Sequence, residues 1–135
     1  MSAPPEGYTE TRLVDPFEIY VGPVFETGDT GSKRYALRVD ERHVNRRGIV
    51  HGGMFLTFAD AALGQAAWDA TDHGPTVTLN MQAQFLRGAK QGDLIEVKPV
   101  LMRQTRALLF IRGDFTVGGD TVMTVASLWK LLGQD

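Results

Sequence analysis

Cysteine is absent from this 135-residue chain, which excludes disulfides, thiol nucleophiles and cysteine-based metal sites. Acidic and basic residues nearly balance at a formal net charge of −2, so the charge favours neither a nucleic-acid nor a membrane partner. No apolar stretch is long and uninterrupted enough to span a bilayer. A positively charged start followed by an apolar run, the pattern of a secretory signal, is also missing. We therefore expect a cytoplasmic protein.

The most distinctive stretch runs from His51 to Trp68. Between Arg47 and Asp69 the single formally charged residue is Asp60. The surrounding residues are rich in alanine, leucine and phenylalanine, a composition typical of a helix that is apolar on every side and buried. An unpaired carboxylate inside such a helix is costly. Asp60 is therefore expected either to have a specific partner or to lie in a cavity where its chemistry is used.

The start of this helix predicts a second functional feature. Gly52 and Gly53 leave the first backbone N–H groups uncovered, and a helix N-terminus favours negative charge. Gly52 and Asp60 are eight residues apart, which is ~12 Å along a helix axis. A reacting carbonyl must lie roughly 3 Å from both its oxyanion donors and its attacking group. If both groups act on one substrate they come from two chains, so the sequence predicts a dimer.

The segments before the helix are less regular. Residues 1–15 are expected to form a loosely ordered arm, and residues 16–135 one domain. Residues 17–25 suggest an extended segment interrupted at Gly22-Pro23. Residues 28–32 resemble a phosphate-binding loop superficially, but the required order of glycine, lysine and serine or threonine before a helix is missing, so a hairpin turn is expected.

After the helix the periodicity changes to two. Alternation over residues 77–85 predicts a half-buried strand. Further strands are expected over residues 94–103, 107–117 and 121–132, with Pro99 marking a bulge or a sheet edge. One long apolar helix followed by long antiparallel strands indicates an α+β layering. A sheet that curls around such a helix is the hotdog architecture.

The loop and helix start also carry a motif, His43-x-Asn45-x-x-Gly48-x-x-His51-Gly52-Gly53, with Asp60 further along. It resembles the motif of hotdog-fold acyl-CoA thioesterases, and most of all their phenylacetate-degradation branch. The resemblance continues through residues 77–81 and 85–89 and covers roughly residues 35–132. It departs from many relatives at Gly88, where proline is frequent.

The resemblance implies a role for each matching residue. Asp60 acts as general base on water or as nucleophile, and the Gly52 N–H polarises the thioester carbonyl. Asn45 helps to hold the water or the thioester, His51 braces the loop, and Thr78 lies near the acid. From the residues alone, each also has a structural explanation: Asn45 suits a turn, and Thr78 suits a strand. The implied reaction needs no cofactor and no metal.

Partners and rival functions follow from the same reasoning. Strand-end basic residues suit the phosphates of CoA, although solvated surface charge explains them equally well: Arg87, Lys90, Arg103 and Arg106. The expected assembly is a homodimer with the active site across its interface, and a dimer of dimers beyond it. The rival functions are a hotdog dehydratase acting on a hydroxyacyl thioester and a non-catalytic acyl-CoA-binding protein.

Overall fold

The structure, a computed structural model, describes residues 3–12 and 15–134. Its helices and strands follow the chain as β1 (Thr9–Glu10), α1 (Pro16–Val21), β2 (Val24–Thr27), β3 (Arg34–Arg38), α2 (Gly52–Ala70), β4 (Thr76–Phe85), β5 (Leu94–Val97), β6 (Val100–Gln104), β7 (Leu108–Val117) and β8 (Asp120–Leu131). The strands form one antiparallel sheet in the order β1-β2-β3-β5-β7-β8-β4, with β6 paired to β7. The predicted layering of one long helix on an antiparallel sheet is confirmed.

The core lies between α2 and the concave face of the sheet. Phe58 of α2 is 1% exposed and meets Phe115 of β7 edge to face, with ring centroids 5.5 Å apart. Gly113 of β7 leaves space for two neighbouring side chains, because a Cβ added there would lie 2.8 Å from Val97 Cγ2 of β5 and 3.2 Å from Leu63 Cδ2 of α2. The absence of a side chain at this position therefore allows close packing within the sheet and against α2.

Two local predictions were wrong. Residues 17–21 of the predicted extended segment belong to α1, in which Pro16 takes the first-turn position that proline favours. The predicted strand over residues 94–103 is two strands, since Pro99 lacks the N–H that a continuous ladder would need. The separated halves take different neighbours: β5 pairs with β3 and β7, whereas β6 pairs with β7 alone.

The burial predicted for α2 and β4 is incomplete within one chain. Gly52, Leu56 and Asp60, spaced by one helical turn, are exposed, so α2 is not buried on every side. Both faces of β4 are largely exposed, including Val77 (38%) and Leu79 (50%). β4 is also the edge strand beside β8, and none of the described residues pairs with its outer edge.

Part of the predicted N-terminal arm has a defined place. β1 pairs with β2, and the Tyr8 hydroxyl donates a hydrogen bond of 2.6 Å to Glu96 of β5. Residues 1, 2, 13 and 14 of the arm lie outside the described residues.

Gly113→Ala should lower the free energy of unfolding by about 1–3 kcal/mol, because the new methyl group would overpack against Val97 of β5 and Leu63 of α2. Urea denaturation measures this change. Gly52→Ala is the matched control, since its Cβ would meet only Phe85 Cζ at 3.9 Å. Equal stability of the Gly113 variant and the wild type would contradict this tight packing around Gly113.

Candidate active site

The first turn of α2 presents an open backbone donor. His51 takes the N-cap position, and its Nδ1 accepts a hydrogen bond of 2.9 Å from the N–H of Gly53. The exposed N–H of Gly52 has no acceptor among the described residues. The helix dipole places partial positive charge at this donor. It therefore suits an oxygen atom that gains negative charge during a reaction.

Asn45 shapes the loop that leads into this turn. Its side-chain oxygen accepts hydrogen bonds from the N–H groups of Arg47 at 2.9 Å and Ile49 at 3.4 Å. Its backbone N–H donates to the Ile49 carbonyl at 2.8 Å. The side-chain NH2 has no acceptor in the part of the chain that the structure describes. Asn45 therefore fixes the loop with one end of its carboxamide and can donate with the other.

Asp60 lies two turns further along α2 and is paired with β4. The Thr78 hydroxyl donates a hydrogen bond of 2.6 Å to Asp60 Oδ1, while Oδ2 has no donor among the described residues. The register of β4 against β8 shifts between Thr78 and Asn80, so Leu79 is an extra residue there. Such bulges redirect side chains and are common beside active sites. The pair therefore offers one anchored and one open carboxylate oxygen.

Two cavities flank Asp60. The larger, of about 590 Å³, runs along α2 from Asp60 towards Trp68 and is also lined by the start of β4 and by Glu18 of α1. The smaller, of about 370 Å³, lies towards Leu56 and Met81. Asp60 and Thr78 line both cavities, so the open carboxylate oxygen faces space that a substrate can occupy.

The predicted site residues fall into two groups within one chain. Asn45, His51 and Gly52 lie at the start of α2, whereas Asp60 and Thr78 lie at its middle. Because α2 is one continuous helix, Gly52 and Asp60 remain ~12 Å apart along its axis. One chain therefore does not bring all the predicted catalytic groups to a single reacting atom.

The four basic residues are also divided. The backbone of Lys90 pairs with that of Ile49 in an isolated antiparallel β-bridge near the start of α2. Arg87 lies nearby, with its Nη2 3.8 Å from Asp120 Oδ2. Arg103 and Arg106 belong to the β6–β7 hairpin, where neighbouring Gln104 donates to the carbonyl of Ala70, the last residue of α2. These places are separated by the 19 residues of α2, or ~27 Å. One chain cannot place all four side chains on one phosphate group.

Sequence reasoning missed Glu18 of α1, which lines both cavities together with Asp15. Burial, a hydrogen bond with the Asp15 side chain and the negative charges of Asp15 and Asp60 raise the pKa of Glu18 to about 7. The pair Asp15-Pro16 is a helix-start signal that could have identified α1. The approach of Glu18 to Asp60 is a tertiary contact for which the sequence holds no local signal.

Among the described residues, neither a metal site nor a membrane-spanning helix is found. No group of three histidine, aspartate or glutamate side chains among residues 3–12 and 15–134 could hold a metal ion. Over the same residues, no helix is long and apolar enough to cross a bilayer.

The fold and this site define a hotdog protein with a carboxylate on its central helix, and comparisons with known proteins give its family. The sequence profile of the thioesterase superfamily matches residues 47–124. A Pseudomonas aeruginosa protein that carries the name of an esterase is 30% identical over 129 residues, covering 94% of this chain and 96% of that protein. The chain therefore belongs to the thioesterase superfamily.

A further relative agrees with this assignment, and solved structures share the fold. Acyl-coenzyme A thioesterase 13 of Mus musculus is 29% identical over 80 residues, covering 59% of this chain and 57% of that protein. The phenylacetic acid degradation protein PaaI of Thermus thermophilus, solved as a mutant, shares the fold with a TM-score of 0.78 at 24% identity, covering 87% of this chain and 100% of that one. A hypothetical thioesterase of Streptococcus pneumoniae, solved with coenzyme A, gives a TM-score of 0.75 at 22% identity, with coverages of 86% and 91%.

His51→Ala should lower the free energy of unfolding by about 1 kcal/mol, because the N–H of Gly53 loses its N-cap acceptor. His51→Asn should retain most of the stability, since its side-chain oxygen can accept the same hydrogen bond. Urea denaturation of the two variants separates these outcomes. Wild-type stability of the alanine variant would show that the cap contributes nothing.

Proposed function

We propose that this protein is an acyl-CoA thioesterase, which hydrolyses the thioester of an acyl-CoA to a carboxylic acid and CoA. The observation that carries the proposal is the Asp60–Thr78 pair, whose open carboxylate oxygen faces two cavities. The family of the chain supports the reaction class. The name of the mouse relative and the coenzyme A of the Streptococcus pneumoniae structure support the substrate class.

The catalytic step assigns Asp60 one of two roles. As general base it takes a proton from a water molecule, whose oxygen attacks the carbonyl carbon. As nucleophile it attacks that carbon itself, and water then hydrolyses the acyl-enzyme anhydride. In both routes the carbon–sulfur bond breaks and CoA leaves as a thiolate that takes up a proton. The Thr78 hydrogen bond holds the carboxylate oriented in either case.

Stabilisation of the oxyanion is assigned to the start of α2. The open N–H of Gly52 donates to the carbonyl oxygen as it gains charge, and the free NH2 of Asn45 holds the thioester or the water. His51 keeps the turn in shape by its cap on Gly53. No metal or separate cofactor is needed for this chemistry, so we propose none.

The separation of these groups supports a homodimer whose sites lie across the interface. Asp60 of one subunit would act with Gly52 and Asn45 of its partner, giving two sites per dimer under two-fold symmetry. The exposed stripe of α2 at Leu56 and the open edge of β4 are the surfaces that such a partner would cover. A dimer of dimers is the proposed larger assembly.

The phosphate groups of CoA would bind to basic side chains of the protein. Arg87 and Lys90 are the first candidates, because Lys90 lies beside the loop that leads to Gly52. Arg103 and Arg106, at the opposite end of α2, would reach the same CoA only from another subunit. The dehydratase alternative resembles a different sequence pattern, with an aspartate and a histidine acting on a hydroxyacyl chain, and that pattern is absent from this sequence. A non-catalytic acyl-CoA-binding protein would not need the ordered Asp60–Thr78 pair.

Asp60→Asn should leave the fold intact and lower turnover by on the order of a hundredfold, because the amide is neither a base nor a nucleophile. Released CoA is measured with a thiol reagent across a panel of acyl-CoAs, without background from a protein that has no cysteine. Asp114→Asn, an exposed aspartate of β7, is the matched control and should keep full activity. Near wild-type turnover by the Asp60 variant on the best substrate would refute the assignment.

A further inference from the structure

α1 supplies part of the lining of both Asp60 cavities, although its own packing is poor. The helix has six residues and none of them is buried. Phe17, Ile19 and Tyr20 are 58%, 65% and 77% exposed. A helix this short is not stable in isolation. Contacts from other segments must therefore hold α1 in place.

The smaller cavity shows what depends on the position of α1. Its lining comes from α2, from β4 and from α1 with its N-cap residue. Phe17 and Glu18 are the α1 members, and Glu18 also lines the larger cavity. Without α1 the smaller cavity would be an open groove between α2 and β4. A substrate bound beside Asp60 would then contact less of the protein.

Arg42, in the loop before α2, makes the main contacts that hold the end of α1. Its Nη1 donates a hydrogen bond of 2.5 Å to the carbonyl of Tyr20, and its Nη2 donates one of 2.6 Å to the carbonyl of Gly22. The neighbouring ring of His43, whose Nδ1 accepts a backbone N–H, donates from Nε2 to the carbonyl of Val21 at 2.6 Å. Three successive carbonyls at the end of α1 thus have donors, as helix C-termini require.

Asp40 fixes the orientation of the Arg42 guanidinium. Its Oδ2 accepts a hydrogen bond of 2.8 Å from Nη2, and its Oδ1 accepts one of 3.1 Å from Nε. Such a two-point contact orients the planar guanidinium in a way that a lysine ammonium cannot reproduce. The hydrogen bond from Arg42 holds the pKa of the Asp40 carboxyl below its usual value, so the pair stays ionised at neutral pH.

We propose that Arg42 is a positioning residue, which holds α1 as a wall of the cavities that receive the acyl-CoA beside Asp60. The inference rests on the proposed thioesterase function. Arg42 itself lines neither cavity, so it acts on the substrate through α1. The groups assigned to catalysis belong to α2, β4 and the loop start, and loss of the Arg42 side chain leaves their own hydrogen bonds in place.

The kinetics of Arg42→Ala with acyl-CoA test this role in the full-length protein. KM should rise about tenfold, because the substrate loses contacts with α1, while kcat stays within about twofold of wild type. Free guanidinium ion, added far below denaturing concentrations, should reverse part of this rise, whereas sodium chloride at the same ionic strength should not.

Two further variants serve as comparisons. Arg42→Lys should behave much like the alanine variant, because one ammonium cannot hold Asp40 and both carbonyls together. Arg38→Ala, which removes a single hydrogen bond to the carbonyl of Gly92, should keep the wild-type KM. An unchanged KM in Arg42→Ala, or a fall in kcat at unchanged KM, would overturn the proposal.

Hydrogen exchange tests the hold on α1 without relying on activity. The N–H groups of Ile19 and Gly22, which donate to the carbonyls of Asp15 and Glu18, should exchange faster in Arg42→Ala, while those of α2 keep their protection. Unchanged exchange in α1 would overturn the proposal. A wild-type protein that hydrolyses no acyl-CoA would reject the proposed function instead, and the exchange result would still decide whether Arg42 holds α1.

Discussion

The rigid spacing along α2 is the constraint on which the rest of the structure depends. One continuous helix of 19 residues carries an open N–H at Gly52 and a carboxylate at Asp60, and its geometry keeps them ~12 Å apart. Phe58 packs against Phe115 of β7, and Gly113 leaves space for Leu63, so the sheet supports α2 along this length. A site that uses both groups must therefore combine two chains.

The exposed surfaces agree with this requirement. Among the described residues nothing pairs with the outer edge of β4, which also exposes apolar side chains, an arrangement that commonly leads to association with another chain. Leu56 and Asp60 continue the exposed surface onto α2. Asp60 is thus exposed in the single chain although its neighbours in α2 are mostly apolar. In the proposed dimer a second subunit would cover these surfaces.

The sequence was most informative where periodicity was long and uniform. The apolar run of α2 and the alternating strands β7 and β8 were predicted closely, because burial imposes a repeating pattern on such elements. The six residues of α1 were misread as extended, since so short a segment shows the same apolar spacing in either form. The bulge at Leu79 and the approach of Glu18 to Asp60 depend on pairing and packing between distant segments, which no local pattern encodes.

Mixed dimers test the composite site most directly. Asp60→Asn and Asn45→Ala proteins, each nearly inactive alone, are co-refolded, and acyl-CoA hydrolysis is measured against the fraction of heterodimer. One site of each heterodimer then carries both defects and the other carries none. The account predicts that activity returns in proportion to the heterodimer fraction, approaching half the wild-type rate per heterodimer. Heterodimers that form without any recovery of activity would contradict it, because both groups would then belong to one chain.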